Sequence, residues 1–157
     1  MKLKTTLRIG AVAICGLFAS IGPALAEDPG LTDDTIKIGL FGPLSGPLIG
    51  YGLDPLNASK MLYDQINAEG GIHGRKIELV IEDDKCTPND LVAVVKKLVT
   101  VDEVFALHGG SCTSAVAAAQ EFINQEKVPY AMLNAAGDAA VFPPSHYVFG
   151  SFHGTQR

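Results

Sequence analysis

Short apolar runs alternate along this chain with longer segments of helical character, and that alternation constrains the fold more than any other feature. Runs of strand length lie at 36–41, 76–82, 104–107, 128–133 and 147–150. Helix-length segments follow the first three of them, beginning at Pro55, Pro88 and Thr113. Strand–helix–strand units of this length pair in parallel with right-handed crossovers. The sequence therefore predicts an α/β fold, a doubly wound parallel sheet with helices on both faces.

Local signals mark the ends of the helices. Asp54-Pro55 and Thr87-Pro88 each place a capping residue before a proline, a pairing that helix starts favour. Gly70-Gly71 follows the first helix, at the point where a left-handed backbone ends a helix. The apolar face of that first helix is expected to contain Ala58, Met61, Leu62 and Ile66.

The candidate functional residues follow the strands. If the strand order is 2-1-3-4-5, it reverses between the first and third strands, and ligands of such sheets bind beyond the carboxyl ends there. The glycine-rich loop 42–53 would face the turn 109–114, with 134–138 as a second wall. The turn ends a strand and begins a helix, so its unpaired backbone N–H groups attract an anion. We expect this turn to hold the carboxylate of a small molecule.

The first 26 residues have the pattern of an export signal. Lys2, Lys4 and Arg8 form a basic start, and an apolar run from Ile9 to Phe18 follows. Ala24-Leu25-Ala26 then supplies a small-x-small cleavage pattern, so the mature chain would begin at Glu27. The apolar run is too short for a membrane span. The sequence therefore predicts a soluble protein exported to the periplasm.

Two cysteines, Cys86 and Cys112, remain after that cleavage. In an oxidising compartment two cysteines indicate one bridge, which would fix the 109–114 turn. The alternative is half of a metal site, but the four histidines are scattered singly. The acidic run 82–84 could bind a hard cation, although a solvated acidic loop is favoured. We expect neither a metal nor a cofactor.

Charge argues against a nucleic-acid partner. All 17 acidic residues follow Ala26, whereas three of the 12 basic residues precede it. The chain beyond the leader is therefore more acidic than the net charge of −5 for the whole sequence. Phosphate binding needs clustered Lys and Arg, which this distribution does not supply.

Four local patterns leave alternatives open. The text GLFGPLSGPLIGYG is a poor match to a dinucleotide fingerprint, because prolines and length spoil a tight phosphate turn. His108-Gly109-Gly110 is similar to an esterase oxyanion loop, but no nucleophile elbow follows. Tyr51 is either a solvent-exposed or packing tyrosine, or a lid over the ligand. Thr113 and Ser114 could cap the third helix, contact an anion, or do both.

Taken together, these stretches resemble the periplasmic branched-chain amino-acid-binding proteins of ABC transporters, the leucine/isoleucine/valine-binding family. The resemblance runs through GPLSGP…YG and DQINAEGGIHGRKIELVIEDDKCTP, and continues through HGGSCTS and KVPYAMLNAAG. It implies a periplasmic binding protein type I lobe that captures a branched-chain amino acid or similar small carboxylate without catalysis. It also implies an ABC permease as partner and a monomer at full length.

The resemblance also implies roles for individual residues. Tyr51 matches an aromatic position over the ligand, and Cys86 and Cys112 match cysteines that pair in some members. The turn that holds the α-carboxylate matches Ser111, Cys112 and Thr113. The loop that contacts the α-amino and carboxylate groups matches Ala135, Ala136 and Gly137. Many members have Thr or Ser where this chain has Gly137-Asp138, so other carboxylates, aromatic acids or amides stay open as ligands.

Members of that family have two lobes that close on the ligand by a hinge. The sequence ends at Arg157, where the resemblance puts the approach to the second lobe. We therefore expect 27–157 to be an incomplete N-terminal lobe, truncated before the second, that binds weakly or not at all alone. Two alternatives are a ligand-sensing receptor module of the same fold and an exported hydrolase that uses His108-Gly109-Gly110.

Overall fold

The computed structural model describes residues 28–135, 137–140 and 142–150, which form a five-stranded parallel sheet with three α-helices. The strands are β1 Thr35–Gly42, β2 Lys76–Asp83, β3 Ala106–Gly109, β4 Tyr130–Met132 and β5 Val148–Phe149. The helices are α1 Leu53–Ala68, α2 Pro88–Thr100 and α3 Thr113–Glu126, with short 3-10 helices at Ile49–Tyr51 and Asp138–Ala140. The order β2-β1-β3-β4-β5 confirms the predicted topology. The predicted leader 1–26, Ala136 and Arg157 lie outside the described residues.

The main core lies between the sheet and the pair α2 and α3. Its fully buried side chains come from alternate positions of the strands, such as Phe41, Leu107 and Tyr130. Val95 and Leu98 of α2 and Ala115, Val116 and Ala119 of α3 pack against them. Ala115 and Ala119 at the start of α3 are fully buried in this core.

α1 covers the opposite face of the sheet, so helices lie on both faces. Its predicted apolar face is wrong: Ala58 is exposed, and Met61 and Leu62 are 70% and 55% exposed. The buried side of α1 instead contains Leu56 and Ser59. Polar contacts set this rotation, because Tyr63 bonds His108 Nδ1 at 2.7 Å, and Asn67 bonds both the N–H and the C=O of Ile77.

Two helix starts differ in how well the sequence predicted them. α2 begins as expected, with Thr87 as N-cap accepting from the Asp90 N–H and Pro88 in the first turn. Asp54 is not the N-cap of α1. The 3-10 helix Ile49–Tyr51 leads directly into α1, whose N-cap is Gly52, and Asp54 lies within the first turn. A negative charge in the first turn still interacts favourably with the positive end of the helix dipole.

The predicted third and fourth strands begin too early. The Val104 N–H donates to Leu98 O and the Val128 N–H donates to Ile123 O, so both valines close the end of the preceding helix. The strands begin two residues later, at Ala106 and Tyr130. An apolar run that spans a helix end and the following strand cannot be divided by hydrophobicity alone.

Among the described residues, no element covers the part of the sheet that lies beside α1 on the same face. His108, Ala131 and Phe149 lie in register across β3, β4 and β5. Exposure increases along this row, from a half-buried histidine to a phenylalanine that is 58% exposed. None of the helices within the described residues combines the length and apolar character that crossing a bilayer needs.

Candidate functional site

Three loops converge at the carboxyl ends of the strands. Ser111 Oγ, after β3, donates to the backbone oxygen of Tyr51 at 2.8 Å. Asn134 Nδ2, after β4, donates to the same oxygen at 3.3 Å. Tyr51 belongs to the loop after β1, so the loops predicted to face each other do meet at the topological switch point.

The turn after β3 requires both of its glycines. Gly109 and Gly110 have φ values of +149° and +77°. A Cβ at Gly109 would lie 2.0 Å from Phe41 O, so no side chain fits where β1 and β3 pair. The Gly110 N–H donates to that same Phe41 oxygen at 3.0 Å. The turn is therefore held tightly against β1.

α3 begins immediately after this turn without a side-chain cap. Cys112 is the N-cap residue in extended conformation, and its side chain accepts no hydrogen bond from the helix. The first N–H groups of an α-helix have no partner within the helix and carry the positive end of its dipole. The start of α3 therefore has backbone donors that an anion could use, and the carboxylate site at this turn stays a prediction.

The two hydroxyl groups beside this helix start are used differently. The Ser111 hydroxyl hydrogen is donated to Tyr51, so its oxygen keeps lone pairs for an N–H or O–H donor. Thr113 Oγ1 accepts from the Gly137 N–H at 3.1 Å, so its own hydrogen can be donated to an anion. Of the two, Thr113 is the hydroxyl suited to a carboxylate.

The loop after β4 forms the second wall. Ala135 is buried, whereas Ala136 lies outside the described residues. Gly137 approaches Thr113 so closely that a Cβ would lie 2.4 Å from Thr113 Cγ2. The Gly137 N–H is already bonded to Thr113, so this N–H holds the wall to α3 rather than pointing freely into the crevice.

Tyr51 ends the 3-10 helix at the edge of the crevice, and its side chain is 61% exposed. A packing tyrosine would be mostly buried. This exposure fits a solvent-exposed tyrosine as well as a lid, so the lid over the ligand stays a prediction.

Cys86 and Cys112 lie together, with their Cα atoms 5.5 Å apart, within the usual range for a disulfide. Cys86 follows Lys85, and both have positive φ, at +62° and +47°. Such a backbone is unfavourable for residues with a Cβ. The loop 83–86 is therefore held in a specific conformation next to the start of α3.

The predicted solvated acidic loop at 82–84 is wrong for Asp84, which is fully buried. Asp84 Oδ1 accepts from the Cys86 N–H at 2.8 Å, and Oδ2 has no hydrogen-bond partner among the described residues. Burial raises the pKa of Asp84, the Cys86 N–H lowers it, and the charges of Asp83 and Asp90 raise it further. The net pKa is above the usual value for Asp.

Asp83 and Glu82 are also engaged. Asp83 accepts from the N–H groups of Leu44 and Lys85 and from the Ser45 hydroxyl. Burial raises the pKa of Asp83, but these hydrogen bonds outweigh burial, and the net pKa is lowered. Glu82 pairs with Lys97 at 2.7 Å. The described residues contain no group of three or more His, Cys, Asp or Glu suited to a metal.

Tyr130 is the residue at this site to which the sequence prediction gave no role, and it lies beneath the turn, where its hydroxyl donates to Gly109 O. Asn134 belongs to the predicted second wall, and its Oδ1 is buried without a partner among the described residues. Nothing in the local pattern separates a buried Asp84 from its solvated neighbours. A separate cavity of about 410 Å³ lies at the opposite end of the strands, against Val104, Phe105 and Val128.

A parallel sheet whose loops meet at a topological switch point is typical of α/β proteins that bind a ligand beyond the carboxyl ends of the strands. The chain belongs to the Periplasmic binding protein family, which matches residues 35–157. It is 36% identical over 122 residues to a leucine-, isoleucine-, valine-, threonine- and alanine-binding protein of Pseudomonas aeruginosa. That match covers 78% of this chain and 32% of the relative, so the chain spans about one third of the relative's length.

Two solved structures are similar to the fold. One is the branched-chain amino acid transporter substrate-binding protein of Streptococcus pneumoniae in complex with isoleucine. It has a TM-score of 0.71 and 34% sequence identity, and the match covers 74% of this chain and 33% of that one. An ABC-transporter solute-binding protein of Rhodopseudomonas palustris, in complex with 3,4-dihydroxybenzoic acid, gives 0.68 at 31% identity over 76% and 32%. These relatives confirm the predicted family and fold.

Proposed function

We propose that this chain is the first lobe of the substrate-binding component of an ABC importer, which captures a branched-chain amino acid or similar small carboxylate in the periplasm. The observation that most directly supports this function is the start of α3. It has no side-chain cap, and it is bonded through Thr113 to one wall of the crevice and through Ser111 to another. Such a start is a preorganised anion site.

In this mechanism the ligand carboxylate accepts hydrogen bonds from the N–H groups at the start of α3 and from the Thr113 hydroxyl. The Ser111 oxygen, whose hydrogen is donated to Tyr51, accepts from an ammonium or hydroxyl group of the ligand. The backbone groups of Ala135 and Ala136 are the proposed contacts to the α-amino and carboxylate groups, and Tyr51 closes over the ligand. A second lobe then completes the enclosure, and the closed protein presents the ligand to a membrane permease.

We propose that 27–157 corresponds to one lobe of a two-lobed binder, with residues 1–26 as a leader that is cleaved after Ala26. The relatives are about three times as long as the matched segment, since it covers 32% of the Pseudomonas protein. The exposed residues Ala131 and Phe149 on one face of the sheet also support this division, because both faces are normally covered in an all-parallel sheet. A monomer is the expected form at full length.

We also propose that Cys86 and Cys112 form a disulfide in the exported protein. Their Cα separation of 5.5 Å supports the bridge, and the periplasm favours it. The bridge would join the loop after β2 to the N-cap of α3, and so hold the anion site in place.

A hydrolase is a weaker candidate, because His108 is not available at the turn. It lies on the face of the sheet covered by α1, its Nδ1 is bonded to Tyr63 OH at 2.7 Å, and burial lowers its pKa. A ligand-sensing module of the same fold would use the same site, and neighbouring permease genes would separate it from a transporter.

The experiment that tests the proposed function is calorimetric titration of the native periplasmic protein with L-isoleucine and with 3,4-dihydroxybenzoate. Intact mass, with and without reductant, first establishes the length of the native chain. Thr113→Val should weaken binding of the preferred acid about tenfold or more, because a donor to a charged group is lost. Thr113→Ser, which keeps the hydroxyl, is the control. Equal affinities for the Val and Ser variants would exclude the carboxylate role of Thr113.

A further inference from the structure

Tyr130 is a buried phenol directly beneath the turn that begins the anion site. It is the first residue of β4, its side chain is 1% exposed, and its ring stacks on Phe41 with centroids 5.6 Å apart. Its hydroxyl donates to Gly109 O at 3.1 Å. Phenylalanine would fill the same space, so packing does not account for the hydroxyl.

That hydrogen bond acts on one peptide group, which the structure holds at both ends. The carbonyl of the Gly109–Gly110 peptide accepts from Tyr130 OH and from the Leu133 N–H at 2.8 Å. The N–H of the same peptide donates to Phe41 O at 3.0 Å. With donors on one side and an acceptor on the other, the peptide plane cannot rotate without breaking bonds to two neighbouring strands.

The contact between the phenol and the turn is close. A Cβ at Gly110 would lie 2.3 Å from the Tyr130 hydroxyl oxygen, so the phenol occupies the space that any other residue would need. Gly109 and Gly110 lack the steric restraint of a Cβ, and both have positive φ. Glycine leaves many backbone conformations open, so the native one needs bonds from outside the turn.

We propose that Tyr130 is a positioning residue for ligand binding: through the Gly109–Gly110 peptide, its hydroxyl sets the direction of the donors at Ser111–Thr113 toward the ligand carboxylate. This inference rests on the proposed function of the α3 start. Tyr130 does not touch the ligand, and its effect passes through the turn. Burial raises the pKa of Tyr130 far above neutrality, so the phenol stays a donor across the physiological range.

The test compares Tyr130→Phe with Tyr63→Phe in the native full-length protein. Both remove one phenol hydroxyl from a side-chain hydrogen bond, but the Tyr63 bond lies on the other face of β3. Hydrogen exchange reports the turn without any ligand. We expect Tyr130→Phe to accelerate exchange of the Gly110 amide about three- to tenfold, the range of one hydrogen bond, and Tyr63→Phe to leave it unchanged.

Binding supplies the second readout. L-isoleucine and L-isoleucinamide differ only at the carboxyl group, so the ratio of their affinities measures carboxylate recognition. Tyr130→Phe should reduce that ratio about three- to tenfold, whereas Tyr63→Phe should preserve it. A lower melting temperature with an unchanged affinity ratio and unchanged exchange of the Gly110 amide would assign Tyr130 a structural role only. That result would overturn the inference. If the unsubstituted protein binds neither L-isoleucine nor 3,4-dihydroxybenzoate, the proposed function fails. The exchange comparison still decides whether Tyr130 holds the turn.

Discussion

The Thr113 hydroxyl oxygen accepts a hydrogen bond from the Gly137 N–H at 3.1 Å, and this bond joins the start of α3 to the loop after β4. No side chain fits at Gly137, because Thr113 occupies the space that a Cβ would need. The two walls of the crevice are thus tied by a backbone donor instead of a second hydroxyl.

Gly137→Thr should destabilise this protein. The new Cβ would lie 2.4 Å from Thr113 Cγ2, and overpacking of this kind costs about 1–3 kcal/mol of unfolding free energy. Thr113→Ala in the same chain should recover much of that loss. Thermal melts of both single variants and the double variant check this coupling, and strictly additive effects would contradict it.

Asp84→Asn should change how stability depends on pH. The native pKa of Asp84 is raised, so on increasing pH the unfolded chain loses its proton first, and the unfolding free energy falls between the ordinary Asp pKa and the native one. Asn cannot titrate and keeps an acceptor for the Cys86 N–H. Denaturant titrations across the acidic range should therefore show the variant gaining stability over the unsubstituted protein as pH rises.

Asp83→Asn is the matched control, because the pKa of Asp83 is shifted in the opposite direction to that of Asp84. The native pKa of Asp83 is lowered, so its contribution is present above the ordinary Asp pKa and is lost as pH falls through the native one. That variant should be less stable than the unsubstituted protein near neutrality and equal to it in strong acid. Parallel pH profiles for the Asp83 and Asp84 variants would contradict both assignments.

Loss of the bridge between Cys86 and Cys112 should destabilise the lobe. The two residues are 26 positions apart, and closing a loop of that size contributes about 3 kcal/mol in the chain-entropy description. Reduction, or replacement of both cysteines by Ala, should lower the melting temperature to a similar extent. Alkylation followed by mass measurement supplies the check: both thiols should react only after reduction.

Tyr51→Ala should separate binding from stability. Because the side chain is 61% exposed, its removal should change the unfolding free energy by no more than about 0.5 kcal/mol. Affinity for L-isoleucine should fall about tenfold if the ring closes over the ligand. Leu53→Ala, which also removes a 40% exposed apolar side chain nearby, is the control. Equal losses of affinity in the two variants would remove the lid role.

The sequence predicted the fold well because each strand and helix carries its own local signal. Thr87-Pro88 began α2 as expected, since a capping hydroxyl and a proline act within one turn. Gly70 and Gly71 ended α1 with positive φ, for a similarly local reason. The strand order followed from connection lengths and the rules of parallel sheets.

Features set by distant contacts could not be predicted in this way. The rotation of α1 depends on Tyr63 meeting His108, 45 positions away, and no helical periodicity contains that contact. The burial of Asp84 depends on how the loop after β2 packs around it, since Asp83 beside it faces solvent-accessible partners. Likewise, the role of Tyr130 appears only once β4 lies beneath Gly109. The residue types at 109–114 were enough to predict the turn, but the contacts that hold it could be seen only in the folded structure.

The strand order also permits assembly in chain order. β2 can pair with β1, β3 can join the free edge of β1, and β4 and β5 can then add outward in turn. None of the five described strands has to insert between two that are already paired. A chain that emerges amino end first, from a ribosome or an export channel, can therefore extend this sheet vectorially, and each new crossover adds to a growing edge without undoing earlier pairing.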